Sequence, residues 1–469
     1  MAAARRRILR LDEPMNDALL SFIHDLEPRG LPEVVVHGAR RCLLDLLGVA
    51  VAGHATDLAA IARDHATAHF GGGGARLFLD PRRVSPVGAA FANAATLDAF
   101  DAHDGHKLTK GHVGAAVLPA LLAVGDHLGA LEGGDSDDGD LLTALVVGYE
   151  VGTRAGMAQH RTRAAYHASG SWNAVACAAV GARLLGLSAA ASREALGIAE
   201  YHAPGGLMMR CIDHPTMVKD STAWGATAGT SAALLAAAGF TGAPAAAVVD
   251  AAVADLWCDL GQRWRLLEQY FKPYPVCRWA QPAVQAAAGL RQRWAMDPVA
   301  IAGVEIHTFH EATRLGVRRP TTTEQAQYST PFPVACILAK GELGAFEITQ
   351  GLDDPAVLAV SDRIRLVEDP EYNRRFPAER WARVTVSTTD GRTLTSAPTT
   401  PKGDPEDPLT DAELVAKFQA LAGPVIGVEG CDALARGTLG AAPAWGYHRV
   451  LGSLLGVAPG RSPRSGIAE

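Results

Sequence analysis

No two of the seven cysteines (Cys42, Cys177, Cys211, Cys258, Cys277, Cys336 and Cys431) stand at CxxC spacing, and their number is odd. That excludes a zinc ribbon and disfavours a disulfide framework, so buried, reduced thiols in a cytoplasmic protein are expected. Positive charge is not in excess either. With a formal net charge of −7 there is no broad basic field to draw in nucleic acid. An anionic substrate would need a local pocket of Lys, Arg and His. Long hydrophobic runs are missing: CLLDLLGVAVAG is too short, and too interrupted by Asp and Gly, to span a bilayer. The N-terminal stretch MAAARRRILRLDEP is basic but lacks the apolar core of a signal peptide.

Familiar ligand motifs are absent as well. FGGGGARLF lacks the GK[ST] ending of a phosphate loop, no GxGxxG follows a strand, and FGGGGARLF reads as a loop. The acidic run GGDSDDGD has no Glu to close a calcium loop and reads as solvated. There is no HExxH.

What is present is a chain of 469 residues, 48% apolar and 20% charged, too long for one compact core. From about 14 to 266 it reads as helices punctuated by Gly and Pro. LPEVVVHGARRCLLDLLGVAVAG opens with Pro in a first-turn position and closes at Gly53. WNAVACAAVGARLLG and AWGATAGTSAALLAAAG are rich in small residues, which let helices approach closely. Near 267 the period changes. VEIHTFH and DRIRLVED alternate as half-buried strands do, and WARVTVSTTDGRTLTS is a hairpin turned by Asp390-Gly391. LTDAELVAKFQALAG is helical again, with Thr410 as its cap. The expected architecture is mostly α: a helical domain over 1–266, completed by 399–469 with frayed last residues, and an α+β domain over 267–398.

The stretch DAFDAHDGHKLTKGHVGAAVLP (98–119) carries Asp98, Asp101 and Asp104 among His103, His106 and His112, ahead of a helix beginning near Val113. Three readings fit it. A metal could be held, although no known ligand spacing supports one. The residues could do metal-free acid–base chemistry, since His titrates near neutrality and a carboxylate fixes its tautomer. Or the stretch could be a polar loop packed under the helix. Three further segments tilt the balance toward chemistry. His167 in RAAYHASGSWNAVACAA and Lys219 in MVKDSTAWGATAG each precede an apolar, small-residue helix, and helix N-termini favour anions. Lys272 and Arg278 in QYFKPYPVCRW lie at the expected domain junction, where sites often form.

Taken with GHVGAAVLPALLAVGD, GYEVGTRAG, ALGIA, TTTEQAQYSTPFPVA and PKGDPEDPLTDAELVAKF, these segments resemble the MmgE/PrpD family over most of the chain. The family includes 2-methylcitrate dehydratase, cis-aconitate decarboxylase and iminodisuccinate epimerase. The resemblance implies a large helical domain with a smaller α+β lid, a homodimer, and no required cofactor or metal. By motif match it implies catalytic roles for Asp101, His112, His167, Lys219 and Lys272; beside them, His103, His106, Arg278 and Tyr328 are expected to bind substrate. The match is not complete. The family's Asp-Phe-Asp-Asp is usually followed by Thr or Ser, where this chain has Asp101-Ala102-His103-Asp104-Gly105, and Gln281 stands where a His is common. The expected activity is a hydro-lyase acting on a hydroxy di- or tricarboxylate of the 2-methylcitrate type, through a carbanion stabilised by fixed cations. Decarboxylation of a cis-aconitate-like acid and epimerisation of an iminodisuccinate-like acid are close alternatives. A non-catalytic polyacid-binding dimer and, more distantly, a metal hydrolase are others.

Overall fold

The computed structural model describes residues 13–129, 138–294 and 297–440. The protein is mostly α with a smaller α+β region. The first residues of the acidic run GGDSDDGD, and the C-terminal residues expected to fray, lie outside the described residues.

The helical body begins with α1 (Glu13–Asp25), α2 (Glu33–Gly53) and α3 (Asp57–His69). A ribbon of β1 (Ala75–Leu77) and β2 (Asp80–Val84) leads into α4 (Pro86–Asp98), the two-residue β3 (Gly105–His106) and α5 (Gly114–His127). Next come α6 (Asp138–Thr162), α7 (Gly170–Leu184), α8 (Ala189–His202), α9 (Met208–Asp213), α10 (Thr222–Ala237) and α11 (Ala246–Val249). The second region opens with β4 (Gln269–Tyr270) and α12 (Gln281–Arg293). It continues through β5 (Ile301–Thr308), α13 (His310–Thr313), α14 (Thr323–Gln327), α15 (Pro331–Lys340) and α16 (Pro355–Ser361). It ends with β6 (Ile364–Glu368), α17 (Pro370–Arg375), β7 (Ala382–Thr388) and β8 (Thr393–Thr395). The long α18 (Asp411–Leu439) closes the described chain.

Local chemistry accounts for many of these boundaries. Pro32 precedes the first turn of α2, which ends at Gly53 as its sequence implies. Thr410 and Glu413 form a reciprocal capping box at the start of α18. In the sheet β6-β5-β7-β8, β5 pairs parallel with β6 and antiparallel with β7, and the β7–β8 hairpin turns at Gly391 with φ +86°. Alternate residues of β7 (Ala382, Val384 and Val386) are buried, the period-2 pattern of a sheet covered on one face. Two other elements position the polar loop between α4 and α5. α18 is long and apolar enough in composition to cross a bilayer, yet it packs along α2, where Lys417 pairs with the buried Asp45 at 2.5 Å. And β3 pairs antiparallel with β4, setting the 98–113 loop beside the 269–278 segment.

One element departs from the sequence reading. FGGGGARLF is not all loop, because its Ala75–Leu77 forms β1. The strand is fixed by distant partners: Asp126 accepts from the Arg76 backbone N–H at 2.7 Å, and Asn93 from that of Phe78 at 2.8 Å.

The small-residue helices do pack as closely as their composition implies. A Cβ on Gly225 of α10 would lie 2.5 Å from the Gly170 carbonyl oxygen, and one on Gly229 2.3 Å from that of Ala174 in α7. Backbone meets backbone there. Gly229→Ala is therefore expected to destabilise the fold by roughly 1–3 kcal/mol through overpacking. Gly289→Ala, exposed on α12 with nothing within 4 Å, should stabilise it by about 0.5–1 kcal/mol. Urea unfolding of both variants checks the contrast.

Candidate active site

The loop between α4 and α5 delivers its polar residues inward because its neighbours hold its backbone. Gln327, at the end of α14, accepts from the Asp101 backbone N–H at 2.7 Å and donates to the Ala99 carbonyl at 3.1 Å. The same Gln327 oxygen accepts from Lys219 Nζ at 2.7 Å. Lys272, two residues beyond β4, donates to Asp101 Oδ1 at 2.5 Å, and both side chains are nearly inaccessible. Lys417 Nζ donates to the Ala102 carbonyl at 2.5 Å. Lys219 and Ser221 have left-handed φ values of +46° and +58°. This tight turn before α10 puts Lys219 over the Tyr328 ring, 4.7 Å from its centroid, and leaves Asp220 buried beside it.

The electrostatics follow from this arrangement. Burial opposes ionisation of Asp101, but Lys272 and then Lys219 outweigh it and hold the carboxyl below the usual carboxylate range. Burial, then Lys272, pushes both His103 and His112 well below their ordinary value, so both are neutral near pH 7. Because a carbonyl only accepts, the 2.6 Å contact of His112 Nδ1 with the Asp104 carbonyl puts the proton on Nδ1. The bare Nε2 faces Asp220 Oδ2 at 3.5 Å. Burial, then the carboxylates of Asp98 and Asp101, raises Asp220 well above its ordinary value, so it is held as the acid. His103 packs against His112 with ring centroids 4.3 Å apart, and neither of its ring nitrogens has a hydrogen-bond partner among the described residues. A neutral base, a protonated acid and two lysines thus converge on one place.

Donor atoms of Asp101, His103 and His112 lie within 4.8 Å of one another, a set able to hold a cation. The Lys272 ammonium already occupies Asp101, however, and a divalent ion would have to displace it. The residues present fit an ammonium–carboxylate pair better than a metal.

Asp101, His112, Asp220, Tyr270, Tyr328 and Arg380 line a cavity of about 20 Å³, room for little more than one water molecule. Tyr166, from the chain preceding α7, also borders it. The site is narrow as it stands. A roomier groove of about 600 Å³ runs past Ala52, Phe100, Phe346 and Val425 but gathers no comparable set of titratable groups.

Of the residues singled out from the sequence, Asp101, His103, His112, Lys219, Lys272 and Tyr328 come together here. Three others have different placements. Arg278 lines the cavity, but its guanidinium is bound to Asp404 at 2.6 Å and to the carbonyls of Pro401 and Lys402. His106 is turned away into a hydrogen bond with Glu268 at 3.0 Å, because the β3–β4 pairing points its side chain to the other face. His167 stands furthest from the expected place. It bridges Leu207 in extended chain, donates to or accepts from no residue of the cluster, and lines a separate cavity with Gln159, Arg163 and Glu200. Successive side chains of an extended segment point to opposite sides, so Tyr166 takes the inward place. Gln281, where the family commonly has His, holds the 274–278 loop. It donates to the Tyr274 and Val276 carbonyls at 2.9 Å and accepts from Arg278 at 3.2 Å.

Sequence reading missed Asp220, Gln327, Tyr166, Tyr270 and Arg380. Asp220 had a signal in its adjacency to Lys219. Arg380, in PAERWARV, had none.

Two outcomes test this electrostatic picture. Lys272→Met leaves Asp101 buried without its counterion and should cost roughly 3–5 kcal/mol. The double variant Asp101→Asn/Lys272→Met should recover much of that stability in urea titrations without restoring activity. Asp104 is the second case. Burial, then Asp45, pushes it up to about 7 against the hydrogen bond from Tyr149 at 2.6 Å. A carboxyl raised in the fold contributes stability fully present below its unfolded value and lost as pH rises through about 7. Asp104→Asn should therefore be more stable than the parent, by a margin larger at pH 8 than at pH 5, as read by thermal melts at both.

Comparison with known proteins agrees with this architecture. Residues 17–257 match the MmgE/PrpD N-terminal domain and residues 274–436 the MmgE/PrpD C-terminal domain. The chain is 27% identical over 455 residues to the cis-aconitate decarboxylase-like protein oryM of Aspergillus oryzae, covering 88% of this chain and 91% of that protein. It is 25% identical over 446 residues to cis-aconitate decarboxylase of Homo sapiens, covering 90% of each. To cis-aconitate decarboxylase of Aspergillus terreus it is 23% identical over 393 residues, 75% of this chain and 78% of that protein. With both domain signatures matched in order along most of its length, the chain belongs to the MmgE/PrpD family.

Proposed function

We propose that the protein is a cofactor-independent lyase that decarboxylates an unsaturated tricarboxylate of the cis-aconitate type. The observation that carries this reading is the cavity's charge. Lys110 and Arg380 line the cavity, and Lys219 and Lys272 stand behind its one ionised carboxylate, Asp101, while Asp220 is held protonated and Arg278 is matched by Asp404. Such a pocket suits a polyanion whose charge rearranges during reaction, and fixed cations in a dry site stabilise it better than water does. The relatives named as cis-aconitate decarboxylases support the same reading.

The chemistry needs one proton. As the carbon–carboxylate bond breaks, its electron pair becomes a new double bond. The former double bond takes a proton at its far carbon, and carbon dioxide leaves. The proton held on Asp220, 3.5 Å from His112 Nε2, is the one to be delivered, and positioned transfer of this kind contributes about 10²–10⁴-fold. Lys219, Lys272 and Tyr328 hold the reacting carboxylate beside them.

A second reading, dehydration of a hydroxy acid, is favoured by one observation. Dehydration takes a proton from carbon and gives one to the leaving hydroxide, and His103, neutral and without a hydrogen-bond partner among the described residues, supplies a second group for that work. We also place the protein in a reducing, cytoplasmic setting, since all seven cysteines are unpaired. A homodimer is supported by exposed apolar residues along α18 and the groove, Val425, Val428 and Phe346 among them.

Proton NMR in deuterated water, with chelator present, decides between the reactions. Cis-aconitate should lose a carboxyl group and gain one deuterium in the product. A new alkene from 2-methylcitrate or citrate, with cis-aconitate inert, would select dehydration instead, and silence across the panel would sink both. His112→Gln should lower kcat by about 10²–10⁴-fold with the fold intact by circular dichroism.

A further inference from the structure

Arg380 precedes β7 and is only 1% exposed. Its Nε and Nη1 have no hydrogen-bond partner among the described residues. The nearby carboxylate of Asp404 is already engaged by Arg278 at 2.6 Å and Lys107 at 3.4 Å. A buried guanidinium without a matched anion is costly, and this one lines the reaction cavity. It lies over the Tyr270 ring, 5.7 Å from the centroid, and the same ring packs edge-on to His112 at 6.3 Å. A second cation borders the same part of the cavity. Lys110 is half-buried in a left-handed conformation with φ +51°, its Nζ 4.3 Å above the Tyr166 ring, while the Tyr166 hydroxyl donates to the Lys110 carbonyl.

We infer that Arg380 and Lys110 form a carboxylate subsite, one ring away from His112, that takes a non-reacting carboxylate of the substrate. The inference rests on the lyase reading above and deepens it. The lysines at Asp101 serve the carboxylate that reacts, and Arg380 serves one that does not. An acid without a second carboxylate leaves the guanidinium as unmatched as it is in the free protein, gains nothing from it, and so binds more weakly than a polyacid that pairs with it. Planar, bidentate pairing is what arginine offers a carboxylate and lysine does not.

The test is binding of propane-1,2,3-tricarboxylate, which has no double bond to react, measured by calorimetric titration beside the monocarboxylate crotonate. Arg380→Met should weaken the tricarboxylate by about 10–150-fold, the range of a charge-assisted hydrogen bond, and leave crotonate unchanged. Arg380→Lys should fall between. In the ligand-free protein Arg380→Met should melt no lower than the parent, because it removes an unmatched buried charge. Equal tricarboxylate affinity in parent and Arg380→Met would overturn the subsite, as would failure of the parent to bind. A lower melting temperature accompanied by equal loss of both ligands would also overturn it, showing a structural arginine. The lyase reading fails separately: an inert NMR panel with Arg380-dependent binding intact removes the reaction and keeps the subsite, whereas decarboxylation with a normal KM in Arg380→Met does the reverse.

Discussion

The Asp101–Lys272 pair is the constraint around which the rest of the site is arranged. Two charges removed from water cost several kcal/mol each, and the 2.5 Å contact between them repays this only if the surrounding groups are satisfied. Gln327 supplies that satisfaction by holding the Asp101 backbone and Lys219 with one oxygen. The pair also joins the two regions of the chain, since Asp101 follows α4 and Lys272 follows β4. Its positive member, together with burial, holds His103 and His112 neutral. The tautomer of His112 is then set by the Asp104 carbonyl. The protonation pattern of the site is thus a consequence of one ion pair in a dry place.

The helical packing reaches the same site by another route. A Cβ on Gly170, the first residue of α7, would lie 2.0 Å from the carbonyl oxygen of Ser221. Ser221 closes the left-handed turn that presents Lys219 and Asp220. The close approach of α7 and α10 therefore fixes the turn, and the turn fixes a lysine and an acid. Small residues in these helices serve the chemistry as much as the core.

Features governed by near neighbours were legible in the sequence. The span of α2, the β7–β8 hairpin at Gly391 and the Thr410 cap depend on residues within a few positions, and each stands where the pattern put it. Of the candidate site, Asp101, His112, Lys219 and Lys272 were legible through motif resemblance and do converge. Direction was the illegible part. Tyr166 and His167 are equally available in the string, and only the extended backbone decides that the tyrosine faces the cavity. His106 looks like a site residue until β3 pairs with β4 and turns it toward Glu268. Arg380 sits in a charged, surface-like segment, and its burial comes from packing between regions far apart in sequence. β1 was hidden by the glycines before it, since its partners Asp126 and Asn93 are distant.

The cavity's narrowness has a kinetic side. With room for about one water, the cavity admits a larger ligand only if the walls that carry Arg380 and His112 part. Association then falls well below the roughly 10⁹ M⁻¹s⁻¹ of an encounter-limited reaction, and such openings occur on microsecond to millisecond scales. What is lost in speed of capture returns as isolation. A cavity this narrow leaves little room for solvent beside His112 and Asp220, so few water molecules can compete with the protein's own groups there.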